Sequence, residues 1–393
     1  MSKICVYTAT RAEYCLLYPV LKRIEHDDDL ELDLIVSGAH LSGKYGNTYE
    51  NIIHDGFEIH EKIPILDDND QDIDKAIALS IVGCSKYLKK SKPDIIIILG
   101  DRYEIIGPVI AASNLHIPIA HIHGGETTEG AIDEAIRHSV TKFSYLHFAC
   151  CESYRERIIQ LGESPDRVYN VGGLGVENIL TQRLLTKDVL EDHLQFSLNK
   201  YGLVTYHPVT LENDTAKHQV QSLFRALLQV EDCTFIITKA NADQGGEDIN
   251  KVIEGYANTY PDKFKVVANL GLIRYLSAMK YCQMVIGNSS SGILEAPTFH
   301  VPTINIGDRQ KGRMQCKSII NCEPNEHAIL QAIRLGFNHE FRESIHDLLS
   351  PYGNGHASKL IIKYVKEHLE KGINLKKKFY DIDIKQASHI ERR

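Results

Sequence analysis

Short β-branched runs alternate with helix-like patterns along most of the chain. In the first half the apolar runs fall at 4–8, 32–37, 94–99, 117–121, 145–149 and 167–171. Segments with helical spacing lie between them, as at 14–25 and 73–89. The run IIIIL at 95–99 shows no polar alternation, which is how a parallel strand covered on both faces reads. Alternating strand and helix units predict an open, doubly wound parallel sheet with right-handed crossovers. Gly172-Gly173-Leu174-Gly175 interrupts the pattern, and a charged helical stretch runs on to about Lys200. The alternation then restarts, with strands expected at 202–206, 234–238, 265–267, 284–286, 303–306 and 318–320. The fold class is therefore α/β, with two Rossmann-like doubly wound domains, 1–172 and 176–370. The glycine cluster reads as a linker or hinge. The segment 356–371 reads as a helix able to pack on either domain, and 371–393 as a polar tail able to pack back on the first.

Composition narrows the class. The 393 residues are 43% hydrophobic, ample for two cores, and the net charge is −8. That balance disfavours a nucleic-acid binder working through a basic face, while a few local arginines still suffice for an anionic small molecule. The nine cysteines form no CxxC pair and mostly sit in apolar runs, so they read as reduced core thiols of a cytoplasmic protein. The N-terminus MSKICVYTAT enters a strand directly, so no signal peptide is expected. No apolar run approaches 18 residues, so no membrane span is expected either.

In doubly wound sheets ligands bind beyond the carboxyl ends of the strands. With two such domains, those ends are expected to line one cleft. The stretch MVIGNSSSGILEA at 284–296 reads as a strand, a tight loop and a helix start. Unpaired N–H groups and the positive macrodipole end there suit a phosphate, with Ser289, Ser290, Ser291 and Gly292 around it. Glu295 lies about a turn further on and suits ribose hydroxyls, which favours a nucleotide over a bare anion. The plainer alternative is an ordinary N-capped strand–helix turn. No lysine follows the last glycine, so this is not a Walker loop, and no GxGxxG follows the first strand.

Other strand ends add chemistry. Arg11, Arg102 and Arg309 each follow a strand, and their recurrence favours a diphosphate. Asp101 beside Arg102 is either an acid–base residue next to a phosphate ligand or half of a structural ion pair. The segment His121-Ile122-His123-Gly124-Gly125-Glu126 leads into Asp133, Glu134 and Arg137, a carboxylate cluster suited to proton transfer. Histidines two apart have metal-ligand spacing, but they share a face only if the strand continues through the glycines. No metal is assigned. Pro208 ends its strand and is expected to leave His207 aimed at the cleft, as a further catalytic candidate or as a structural histidine.

Taken together, the chain resembles the hydrolysing UDP-N-acetylglucosamine 2-epimerases of the sialic-acid and legionaminic-acid type. The matching pieces run in order from TATRAEY at 8–14, SGAHL at 37–41 and YGNTY at 45–49 to KPDIIIILGDR at 92–102. AIDEAIRHSVTK at 131–142, HPVT at 207–210, GNSSSG at 287–292, VPTINIGDRQKGR at 301–313 and YGNG at 352–355 complete the set. The resemblance implies the glycosyltransferase-B architecture, no cofactor and a homodimer or homotetramer. It implies that UDP is held mainly by the second domain, through Ser289, Ser290, Glu295, His207 and Arg309, with Arg11 and Arg102 neutralising charge and Asn241 in a matching loop. Asp101 and Asp133 match acid–base positions of the family, with Glu134 adjacent.

The implied reaction removes the proton at sugar C2 while UDP leaves C1. Water then adds to the 2-acetamidoglucal, giving N-acetylmannosamine from UDP-N-acetylglucosamine. One departure stands out. The family usually carries a catalytic glutamate where this chain has His123, and HIHGGETTEG is one residue longer before AIDEA. Either His123 takes that role or Glu126 moves in. A UDP- or GDP-linked 2,4-diacetamido-2,4,6-trideoxy sugar is the alternative substrate. A glycosyltransferase of the same fold, or a nucleotide-sugar sensor without turnover, are the readings from other classes.

Overall fold

The computed structural model describes residues 1–67, 72–128, 132–208, 216–240, 246–268 and 270–382. No helix among them is long and apolar enough to cross a membrane. The chain divides into two compact units.

Among the described residues, the first unit carries seven parallel strands. They are β1 (Ser2–Thr8), β2 (Leu30–Ser37), β3 (Glu61–Ile63), β4 (Ile95–Leu99), β5 (Ile119–Ile122), β6 (Leu146–Ala149) and β7 (Val168–Asn170). The sheet order is β3-β2-β1-β4-β5-β6-β7. Every residue of β4 is buried, as its unbroken apolar run predicts. Each of its isoleucines contributes about 2 kcal/mol by leaving water. The short edge strand β3 was not anticipated, since three residues give no periodicity to read.

The second unit carries β8 (Tyr201–Thr205), β9 (Thr234–Thr238), β10 (Phe264–Val267), β11 (Met284–Gly287), β12 (Thr303–Ile306) and β13 (Ile319–Cys322). Their order is β10-β9-β8-β11-β12-β13, again parallel. In both sheets the strand order reverses at one point, between β1 and β4 and between β8 and β11. Ligands of doubly wound sheets bind outside the carboxyl ends at that reversal.

One boundary, between Gly172 and Gly173, falls in the expected glycine cluster; the other differs from the sequence reading. The glycine cluster opens a helix, Leu174–Thr181, with Gly173 as its N-cap. The second unit closes at Gly355, and the helix Ala357–Lys371 belongs to the first unit, as do residues 372–382. It is tied there by Arg23 Nε donating to Ser358 Oγ at 2.5 Å and by Lys366 Nζ on Asp27 and Asp29 at 2.8 and 2.9 Å. Tyr364 stacks on Tyr169 with ring centroids 3.7 Å apart. Thr127, Thr128 and residues 132–134 group with the second unit.

Candidate active site

In the first unit, chemistry gathers at the carboxyl ends of β1, β4 and β5. Arg11 is the first residue of the helix Arg11–Glu25, which is fixed by a capping box. Thr10 Oγ1 accepts from Glu13 N at 3.3 Å, and Glu13 Oε2 accepts from Thr10 N at 3.1 Å and Ala9 N at 2.7 Å. Burial, and then the charge of Glu104, push the Glu13 carboxyl up to about 7.

After β4, Asp101 takes the guanidinium of Arg137, and Arg102 takes Glu104 through Nε and Nη2 at 3.1–3.3 Å. Arg137 is fully buried, and its Nη1 donates to the Glu126 main-chain oxygen at 3.0 Å. One arginine therefore holds both the Asp101 carboxylate and the loop bearing Glu126. An arginine stays charged at any working pH and offers several fixed donors, so it suits that bridging position.

The two histidines after β5 part company. Strand β5 stops at Ile122, and His123 takes a left-handed backbone, φ 64°. That conformation costs a non-glycine residue about 1–3 kcal/mol and concentrates at functional sites. His121 is buried, its Nε2–H donating to Gly100 O at 2.7 Å, and burial pushes its ring down to about 3. It is a neutral structural residue. His123 Nδ1 instead lies 3.5 Å from Glu126 Oε1, and the Cys150 thiol donates to the same oxygen at 3.4 Å. His123 and Glu126, which the sequence offers as alternatives, thus form a buried pair.

Asp133 and Glu134 open the helix Asp133–Phe143, both half-buried. Glu134 Oε2 accepts from Thr128 N at 2.6 Å, which ties the preceding loop to the helix start.

The half-site of the second unit lies at the ends of β8, β11 and β12. His207 follows β8 and is buried. Gly287 ends β11 at φ 134°, and a Cβ there would sit 1.9 Å from Thr205 O, so only glycine fits. Asn288 is fully buried, and its side-chain amide pairs with both main-chain groups of His207. Its carbonyl accepts from Arg309 Nη1 at 3.1 Å and Gln310 Nε2 at 2.8 Å.

The helix that follows departs from expectation. It spans only Ser290–Leu294, with Ser289 as N-cap, so its dipole is slight. The attraction for an anion rests on Arg309 and the hydroxyls rather than on a long helix. Ser291 Oγ meets Tyr275 OH at 2.6 Å and Ser289 Oγ at 3.0 Å. Gly292 packs against β12, its carbonyl accepting from Thr303 Oγ1 at 2.8 Å. Glu295 is the C-cap of this short helix. Gly175 lies so close that a Cβ would come 2.7 Å from Glu295 Oε1, and burial pushes the Glu295 carboxyl up to about 7. Asn241 lies outside the described residues.

Sequence reasoning gave no role to Asn288, Gln310, Glu104 or Tyr275, named Arg137 only as a member of the acidic cluster, and read Gly175 only as part of a linker. Nothing in the sequence marks Asn288 or Arg137 as fully buried. Only the strand order places Asn288 between the loops after β8 and β12.

The UDP-N-acetylglucosamine 2-epimerase family model matches residues 22–366. The GDP/UDP-N,N'-diacetylbacillosamine 2-epimerase (hydrolyzing) of Campylobacter jejuni is 42% identical over 383 residues, 97% of this chain and 99% of the relative. The UDP-N,N'-diacetylbacillosamine 2-epimerase (hydrolyzing) of Legionella pneumophila is 36% identical over 339 residues, 86% and 89% of the two chains. Among solved structures, the Neisseria meningitidis UDP-GlcNAc 2-epimerase bound to UDP-GlcNAc superposes with a TM-score of 0.80 at 18% identity, over 94% of this chain and all of that one. That likeness bears on the fold alone, and it fits the two doubly wound sheets of the glycosyltransferase-B class. With a family match over most of its length and full-length relatives well above 30% identity, the chain belongs to the hydrolysing branch of the UDP-N-acetylglucosamine 2-epimerase family.

Proposed function

We propose that the substrate is a UDP-linked 2,4-diacetamido-2,4,6-trideoxy sugar, converted to its free 2-epimer and UDP. The observation that carries this choice is the 42% identity, over nearly the full length of both chains, to the Campylobacter enzyme acting on diacetylbacillosamine. UDP-N-acetylglucosamine, the substrate first expected, is the second reading. The UDP-N-acetylglucosamine 2-epimerase of Neisseria meningitidis, 30% identical over 335 residues, favours it.

The geometry of each half-site supports the following assignment of roles. Asp101, held by Arg137, removes the proton at C2 as the C1–O bond to UDP breaks, giving the 2-acetamidoglycal. Water then adds at C1, and a proton returns to C2 on the opposite face. His123 and Glu126, sharing one close contact, are suited to that return, with Asp133 and Glu134 as further acid–base groups. Arg309, Ser289, Ser290 and His207 hold the leaving diphosphate, with Arg11 and Arg102 adding positive charge. Stabilising a departing anion with preset donors is the largest single contribution available to such a site. Glu295 accepts from the ribose hydroxyls.

The test is turnover in D₂O followed by NMR, with the UDP-linked diacetamido-trideoxy sugar and UDP-N-acetylglucosamine compared. Free 2-epimer carrying deuterium at C2, formed with the higher kcat/KM from the first substrate, is the expected result. Faster turnover of UDP-N-acetylglucosamine selects the second reading. Product without deuterium at C2 overturns the mechanism.

A further inference from the structure

We propose that Asn288 is a positioning residue that assembles the diphosphate cradle of the second unit. The inference rests on the reading of that half-site as the holder of a nucleoside diphosphate.

Every polar group of Asn288 is engaged. Its main-chain N–H donates to Thr205 O at 3.2 Å, which continues the ladder from β11 toward β8. Its side-chain Oδ1 accepts from His207 N, and its Nδ2 donates to His207 O, both at 2.7 Å. Its main-chain carbonyl accepts from Arg309 Nη1 and Gln310 Nε2 at 3.1 and 2.8 Å. With the side chain fully buried, none of these groups is left to meet a ligand. What they fix are three neighbours with phosphate chemistry: His207 after β8, Ser289 next in the chain, and Arg309 after β12.

The strand order explains why this residue holds that place. β11 lies between β8 and β12 in the sheet, so the first residue past its end is within reach of both adjoining loops. Gly287 lets the backbone turn there without striking Thr205. The carboxamide then acts as a peptide group would, one donor and one acceptor facing the donor and acceptor of His207. Aspartate has nearly the same shape but no N–H. It would set a second acceptor against the His207 carbonyl and bring negative charge into an anion site.

Asn288→Asp and Asn288→Ala are compared with the unaltered protein by calorimetric and NMR titration with UDP and with uridine. UDP affinity is expected to fall by roughly ten- to a hundredfold in both variants, each tenfold being one 1.4 kcal/mol step. Uridine affinity is expected to change by less than about threefold. In turnover, KM rises more than kcat falls. If Asn288 variants do not fold, Gln310→Ala serves, because it removes only one donor to the Asn288 carbonyl. The same ordering is then expected with a smaller loss of UDP affinity.

Unchanged UDP binding in the folded variants overturns the inference. Equal losses for UDP and uridine also overturn it, since they indicate general loosening of the unit. If the unaltered protein binds no UDP, the functional reading fails first, and the two failures are told apart.

Discussion

Glu295 shows what burial does to a residue proposed to bind ribose. Its carboxyl stands at about 7, pushed up by burial beside Gly175. A carboxyl raised in the folded state adds stability at low pH and gives it up as the pH climbs from the unfolded value, about 4.3, toward 7. Ligand binding runs the other way, because two ribose hydroxyls are best met by a carboxylate that only accepts. UDP affinity is therefore expected to rise between about pH 6 and pH 8, and Glu295→Gln to flatten the part of that rise not due to the phosphate. Titrations of both proteins at three pH values decide it. A rise of equal size in the variant removes Glu295 from the ribose site. Candidates of this kind were legible in the sequence, because Ser289, Glu295 and Arg309 lie where strand-end logic looks. Asn288 and Arg137 were not, since their weight comes from partners 81 and 36 positions away.

Among the elements, the helix Asp133–Phe143 carries acid–base candidates at one end and a lysine anchor at the other. Lys377, from the tail, donates to the carbonyls of Lys142 and Ser144 at 2.9 and 2.7 Å and to Glu163 at 2.8 Å. Burial raises the Glu163 carboxyl, but hydrogen bonds from His147, Lys142 and Lys377 outweigh it and hold it at about 2. A carboxyl lowered in this way stabilises the fold above its unfolded value, about 4.3, and stops doing so as the pH falls toward 2. Lys377→Ala is expected to destabilise the first unit by about 1.5 kcal/mol, because it removes one charged donor from a buried carboxylate that keeps Lys142 and His147. Glu163→Gln is expected to flatten the acid limb of stability against pH. Denaturant melts of each variant measure both effects, and melts that overlay the unaltered protein refute the anchor. The alternating pattern showed twelve of the strands, because apolar and β-branched runs set between helical stretches announce themselves. It missed β3, and it did not show that Gly173 and Gly175 also belong to the opening of the helix Leu174–Thr181, where Gly175 packs against Glu295.

For the molecule as a whole, the division of labour has a measurable signature. If the nucleotide is held by the second unit, saturating UDP at about a hundred times Kd adds about 2.7 kcal/mol to the unit that binds it. In hydrogen exchange, UDP is expected to slow peptides spanning 201–208, 284–295 and 303–310 most, and those of β1, β2 and β3 least. Uniform slowing across both units, or protection confined to the first, rules out that division. The chain's two-domain organisation was readable because each sheet restarts the same alternation. The return of the helix Ala357–Lys371 to the first unit was not, since an amphipathic helix does not say which apolar surface it covers.

That return matters while the protein is being made. All seven strands of the first sheet leave the ribosome before residue 172, yet the helix bearing Tyr364 and the buried Ile361 and Val365 follows only after the entire second unit. At ordinary elongation rates the gap is on the order of ten seconds. Through that interval the ring of Tyr169 waits for Tyr364 and Arg23 for Ser358, so the newborn first half is expected to lean on a chaperone. Translation pauses that lengthen the gap are expected to lower the yield of folded enzyme without altering the enzyme that does fold.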